Sequence, residues 1–308
     1  MGLVFLSHFK QYVSLSNPLD ILYIYLQGYL GQFIVALFLF YSGYGLMYFI
    51  KSRGMSYIIK LPIKRIGKTL LHFDLAVTIY LLIYIFRHGV SSFYKFIMGY
   101  IGWNGFGNSN WYIFIVIILW LITYLVFISV HTKKYLKQCH LITIITIMTA
   151  FILSFFKEHW WYDTMLCFPL GMYYTLCKEK LEFWINNIKN YINYKYWGTL
   201  VFLIIGIYIL GHQKNNFYLY ELWMILFTIC VIWITMKIKF TNPILHWMGS
   251  RLFEIYILMR IPMILLHPIL GNHAYKYLIS SIIITFILVN IFHKFLLFID
   301  SKTINKLL

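Results

Sequence analysis

Two long apolar runs, residues 28–50 and 69–86, enclose six basic residues: Lys51, Arg53, Lys60, Lys64, Arg65 and Lys68. Each run is about long enough to cross a bilayer as a helix, which takes roughly 20 residues. Inside hydrocarbon no water can satisfy the backbone, so a span of this kind must close its own hydrogen bonds as a helix. A cationic loop between two such helices stays on the cytoplasmic side. This one segment therefore restricts the chain to a helical membrane protein, orients it, and offers a place to hold an anionic cofactor from the cytosol.

The rest of the chain agrees. Hydrophobic residues make up 61% of 308 and charged residues 11%, with a mean hydropathy of +0.76. A soluble domain would need far more polar surface to cover itself. Apolar runs at about 1–14, 28–50, 69–86, 110–130, 140–156, 160–177, 197–212, 219–236, 251–270 and 277–298 predict an all-α, polytopic transmembrane bundle of about ten helices. Only the first is short for a span. With the loop at 51–68 cytoplasmic, the loops at 131–139, 178–196 and 237–250 and the C-terminal tail fall on the same side. That side holds 17 of the 26 Lys and Arg residues and the other side six. The asymmetry predicts both termini in the cytoplasm.

No repeat, low-complexity tract or soluble module interrupts the chain, so it reads as one membrane-embedded domain, 1–308. The net charge of +17 is assigned to anionic lipid headgroups and not to nucleic acid, because it sits in the loops of one side. Cys139, Cys167, Cys177 and Cys230 show no Cys-x-x-Cys spacing and imply no disulfide framework. Met1 to Phe9 lacks the basic start and small-residue site of a cleavable signal peptide. A Gly-x-Ser-x-Gly elbow, a His-Glu-x-x-His zinc helix, a P-loop and a Gly-x-Gly-x-x-Gly turn are all missing from the sequence. No metal site is expected.

Ionisable residues inside apolar runs are costly and mark function or pairing. His8 reads equally as a general base and as a histidine satisfied at a helix end. Arg65, Lys68 and His72 follow at i, i+3 and i+7 and share a helix face. That stripe could clamp phosphates or merely snorkel to the headgroups. Asp74 points elsewhere, towards a charge on a neighbouring helix. His159, Trp160, Trp161, Tyr162 and Asp163, with Glu158 beside them, place imidazole, carboxylate and aromatic faces at one edge. This suits a sugar, and it equally suits an interfacial aromatic belt. Glu221, near the start of a span, stays open between the same alternatives. Arg251 and Glu254, at i and i+3, can pair. Arg260 sits mid-span with no carboxylate at i±3 or i±4, so it needs a partner on another helix or a polar cavity.

Taken together, several segments resemble the acyltransferase-3 family of bacterial ten-helix membrane acyltransferases. Leu3 to Phe9, with Ser7 and His8, resembles the end of the family's first helix. Phe38 to Leu46, through Ser42, Gly43 and Gly45, resembles its second. Arg65 and Lys68 resemble the Arg-x-x-Arg opening its third, with Lys in place of the second Arg. Asn108 to Ile113, around Trp111, is similar to its entry into helix four, Phe168 to Met172 to its sixth-helix glycine segment, and Gly249 to Leu258 to its ninth helix. Two further departures stand out. No Arg position precedes His8, which implies a longer natural start or a divergent member. Met259 stands where a His is frequent, leaving Arg260 as the substitute.

The resemblance implies transfer of an acetyl group from acetyl-CoA to a hydroxyl of a cell-envelope or extracellular polysaccharide, by a multi-pass protein of the bacterial plasma membrane. It implies no tightly bound cofactor, acetyl-CoA being the donor. His8 is then the catalytic base, Arg65, Lys68 and His72 hold the CoA phosphates, and Trp111, His159, Trp161, Asp163, Glu254 and Arg260 contact the acceptor. The competing expectation is a transporter or flippase for a lipid-linked saccharide, which would use broken helices and no acetyl-CoA.

Overall fold

The computed structural model of the chain describes residues 2–13, 20–130, 134–186, 194–211, 217–238 and 241–303. Residues 187–193 of the basic loop at 178–196, and 304–308 of the tail, lie outside that set. The described chain is all-helical: α1 (Gly2–Phe9), α2 (Ile21–Arg53), α3 (Met55–Leu61), α4 (Lys68–His88), α5 (Phe93–Tyr100), α6 (Trp111–Ser129), α7 (Tyr135–Leu153), α8 (Cys167–Asn186), α9 (Tyr194–Gly211), α10 (Phe217–Thr235), α11 (Pro243–Ser250), α12 (Leu252–Leu258), α13 (Arg260–Leu270) and α14 (Ala274–Lys302).

Eight stretches are long and apolar enough to cross a membrane: Gly31–Arg53, Met55–His88, Trp111–Ser129, Tyr135–Leu153, Tyr194–Gly211, Tyr218–Thr235, Leu252–Leu270 and Ala274–Lys302. Two of the ten expected spans are not among them. α1 has eight residues, a rise of about 12 Å. α8 starts at Cys167 and not near 160, and its second half carries Lys178, Glu179, Lys180 and Glu182. On the eight spans, large apolar side chains such as Leu82, Phe151, Phe202, Ile209 and Ile287 are exposed, as expected where lipid covers the surface. The molecule is a multi-span helical membrane protein.

The described residues fall into two compact units. The first draws on 1–31, 62–114 and 241–308, the second on 32–61 and 115–240. In the first unit, α14 buries Tyr277, Ser281, Thr285, Val289, Phe292, Leu296 and Asp300, steps of three or four residues that make one helical stripe. It packs against α12 and α13, which meet at Met259. Pro262 causes that break: it has no N–H, and its ring crowds the carbonyl four residues back, on Leu258. The Tyr80 hydroxyl of α4 donates to the carbonyl of Ile257 at 2.9 Å, beside the interruption. A wider, π-helical turn at Pro62–Gly67 leads into α4, again where a proline removes a donor.

In the second unit, α2 and α8 meet through two glycines. A Cβ on Gly43 would lie 2.0 Å from the Phe168 carbonyl oxygen, and one on Gly171 would lie 2.0 Å from that of Phe40. Only glycine lets two backbones approach so closely. The neighbouring Ser42 Oγ accepts from Trp120 Nε1 of α6 at 2.9 Å. α9 and α10 pair through stacked Tyr196 and Trp233 rings, 6.0 Å apart, with Trp233 Nε1 donating to the Tyr196 carbonyl at 3.2 Å.

Candidate functional site

The first unit gathers a polar layer around His8. α1 ends at Phe9 and passes into a single 3-10 turn, Lys10–Tyr12, so His8, Gln11 and Tyr12 emerge together. His8 Nε2 lies 3.2 Å from Ser109 Oγ, while Nδ1 is buried with no hydrogen-bond partner among the described residues. Ser109 is 2% exposed and belongs to the segment between α5 and α6. Its position is fixed locally. Asn108 Oδ1 accepts from the Phe106 N–H at 2.8 Å, and Asn110 Nδ2 donates to the Gly102 carbonyl at 2.7 Å. Gly102 and Gly107 take φ values of +78° and +97°, a backbone region that glycine enters without penalty. Trp111 opens α6 two residues after Ser109 and so borders this layer.

Arg260 completes it. As the first residue of α13, just past the helix break, its Nη2 donates to Gln11 Oε1 at 2.9 Å and to Tyr12 Oη at 3.1 Å, and its Nε donates to Tyr12 Oη at 3.3 Å. It lies near enough to act electrostatically on His8, Tyr80 and Tyr256. Among the described residues no carboxylate comes within ion-pair distance of it. The partner that the sequence demanded is therefore a pair of neutral acceptors, and the guanidinium keeps an uncancelled positive charge. Burial, and then the nearby Arg260 charge, lower the His8 pKa to about 3, so the imidazole is held neutral with an unbonded nitrogen, the form that accepts a proton, while the guanidinium can stabilise an oxyanion.

The expected phosphate stripe is engaged differently. Lys68 Nζ lies 2.7 Å from Asp300 Oδ2, and His72 Nε2 lies 2.8 Å from Asp300 Oδ1. Asp300 was not anticipated. It sits at the end of the α14 stripe, and continuation of that spacing from Tyr277 is the signal that points to it. Arg65 lies in the π-helical turn and Lys68 in α4, so the i, i+3 geometry of a single helix does not join them. Lys68, 41% exposed at its side chain, retains two further ammonium donors. From Lys68 to Tyr80, along α4, is about 18 Å.

Two expected pairings differ. Glu254 bonds His293 Nδ1 at 2.7 Å and not Arg251, whose Nη1 reaches Ser250 Oγ at 3.1 Å while its guanidinium lies 5.0 Å over Trp247. The reason is backbone: Arg251 occupies the turn between α11 and α12 (φ −121°, ψ 24°), so it is not one helical turn from Glu254. Asp74 makes no ion pair among the described residues. Its Oδ1 is buried without a hydrogen-bond partner.

His159, Trp161 and Asp163 belong to the second unit, so the residues expected to contact an acceptor divide between the two. His159 Nδ1 lies 2.6 Å from Asp163 Oδ2. The imidazole is exposed, while Asp163 is 2% exposed. Lys157 Nζ lies 4.3 Å over the Trp161 ring, and the Trp160 carbonyl accepts from Gln32 Nε2 at 3.1 Å. Cation–π contact and the His159–Asp163 hydrogen bond account for this edge without a ligand. Comparison with protein-family models, with curated proteins and with solved structures finds no match for the chain. The likeness to the acyltransferase-3 family thus rests on the order and spacing of the motifs above.

Proposed function

We propose that the protein is a membrane O-acyltransferase that moves an acetyl group from acetyl-CoA to a hydroxyl of a cell-envelope or extracellular polysaccharide. The observation that carries the proposal is the His8 layer: a buried imidazole with one nitrogen engaged by Ser109 and the other unbonded, near a guanidinium with no counter-anion among the described residues. In the tautomer whose Nε2–H donates to Ser109 Oγ, the Nδ1 lone pair accepts the proton of the acceptor hydroxyl. The alkoxide attacks the thioester carbonyl, Arg260 stabilises the tetrahedral oxyanion, and collapse expels the CoA thiolate. That thiolate recovers the proton from the imidazolium, so the transfer balances without any further reactant. Lys68 and Arg65 contact the CoA phosphates, with Asp300 orienting the Lys68 ammonium. Membrane lipids surround the spans.

The test is the O-acetyl content of extracellular polysaccharide, by proton NMR, in cells carrying the wild type, His8→Ala or no protein. Acetyl signals that need the wild type and vanish with His8→Ala, at equal membrane levels, support the proposal. A second reading, a transporter or flippase for a lipid-linked saccharide, draws on the α12–α13 break, because interrupted helices at membrane depth line transport sites. Polymer export that depends on the protein, with acyl content unchanged, supports that reading instead.

A further inference from the structure

We propose that the second unit contains a lipid site selective for a primary ammonium headgroup, with Glu221 as its anchor. Glu221 is 3% exposed, and both of its carboxylate oxygens are buried without a hydrogen-bond partner among the described residues. Among the described residues, no cation lies within ion-pair distance of it. The segment opening α8 surrounds it: the Leu166 backbone N–H approaches the carboxyl group, and Asp163 and Cys167 lie within electrostatic reach. Thr164, fully buried in the same segment, also has an unbonded hydroxyl. Asp163 has His159 as its partner; Glu221 has none. A buried acid in that condition is cheapest with its proton on, and a primary ammonium binding against it supplies the counter-charge that lets the proton leave.

The surroundings select the kind of cation. Glu221 lines a cavity of about 770 Å³ between α7 and α10, walled by Ile147, Met148, Phe151, Tyr218, Leu222 and Ile225. That volume is of the size that holds a small organic molecule, and the walls are apolar. Among the described residues, no three His, Cys, Asp or Glu side chains gather as a metal ion would need. Ile147, Met148, Phe151 and Leu222 are exposed on their spans, so the cavity opens sideways towards hydrocarbon and its occupant arrives from the bilayer. Depth agrees: Glu221 is the fourth residue of the span Tyr218–Thr235, within about 6 Å of its end, where headgroups give way to chains. The ammonium reaches the carboxylate from headgroup level, and the acyl chain follows the apolar wall below it. Tyr162 and Tyr218 also line the cavity.

The site lies apart from the His8 chemistry and does not depend on it. To test it, the full-length protein in detergent is titrated with phosphatidylethanolamine and with phosphatidylglycerol of the same chains, and bound lipid is counted by native mass spectrometry. Wild type should retain phosphatidylethanolamine about tenfold more strongly, the low end of what a hydrogen bond to a charged group supplies. Glu221→Gln should bring that ratio close to one, and His8→Ala should leave it unchanged. Ile225→Trp, which fills the cavity and keeps the carboxylate, should weaken both lipids, so the test survives if Glu221→Gln does not fold. Equal retention of the two lipids by wild type overturns the proposal, as does phosphatidylethanolamine retention unchanged by Ile225→Trp. Dodecylamine bound through Glu221 with no preference among the phospholipids overturns the lipid assignment.

Discussion

In each of the two units one ionisable group set among helices has no ion-pair partner among the described residues, and the two groups are of opposite type, a guanidinium and a carboxyl. In the first, Arg260 is held by the neutral oxygens of Gln11 and Tyr12. In the second, Glu221 has no cation within ion-pair distance among the described residues. The contrast lies in what surrounds them. Arg260 shares its layer with a base, a serine and a loop held by asparagine side chains and glycine turns, a setting for chemistry on an anionic intermediate. Glu221 faces an apolar cavity, a setting for binding alone. Three other carboxylates have partners: Asp300 has Lys68 and His72, Glu254 has His293, and Asp163 has His159. Asp74 also lacks an ion pair among the described residues; Arg260 and Glu221 differ from it in standing beside a histidine and beside a cavity.

The sharpest test of the contrast is His8→Ala, which should lower acetyl transfer in membranes by about 10²–10⁴-fold, the range for loss of a general base. Glu221→Gln assayed alongside should transfer at the wild-type rate. Next in size, Arg260→Lys keeps the charge and loses the fork that spans Gln11 and Tyr12. Acetyl transfer should fall about 10²-fold or more, as for loss of an oxyanion donor. A drop confined to KM would break the assignment of Arg260 to the transition state. Gly171→Ala should lower stability by about 1–3 kcal/mol, read as a shift in the unfolding temperature, because the added methyl meets the Phe40 backbone. The smallest effect is that of Glu221→Gln in lipid-free detergent: the unfolding temperature should stay close to that of the wild type, since a carboxyl buried without a cation is cheapest uncharged and the amide matches it in charge.

Much of this was legible in the sequence and the rest was not, for physical reasons. Eight of the expected spans follow from apolar run length, which is a local property. The other two fail because α1 is short and because Lys178 to Glu182 make half of α8 polar. Arg260 stood out because its own helix offers it no carboxylate. Its actual partners, 248 and 249 residues away, carry no local trace. Asp300 is 228 residues from His72, so a stripe that reads as a phosphate clamp on one helix is completed by another. Arg251 and Glu254 show the converse error: spacing implies a pair only where the helix is continuous, and a turn at Arg251 cancels it. Ser42, Gly43 and Gly171 carry the family likeness, and in the structure they form one close contact between α2, α6 and α8.

The length of α14 has a consequence for where the protein can reside. Its 29 residues rise about 44 Å, against roughly 30 Å of hydrocarbon. A helix so mismatched must tilt, thicken the bilayer around it, or carry its last turns out among the headgroups. Asp300, two residues from its end, ties α14 to Lys68 and His72 at that depth. Bilayer thickness, and so the choice of host membrane, then governs how much water reaches the one carboxylate that holds the basic stripe in place.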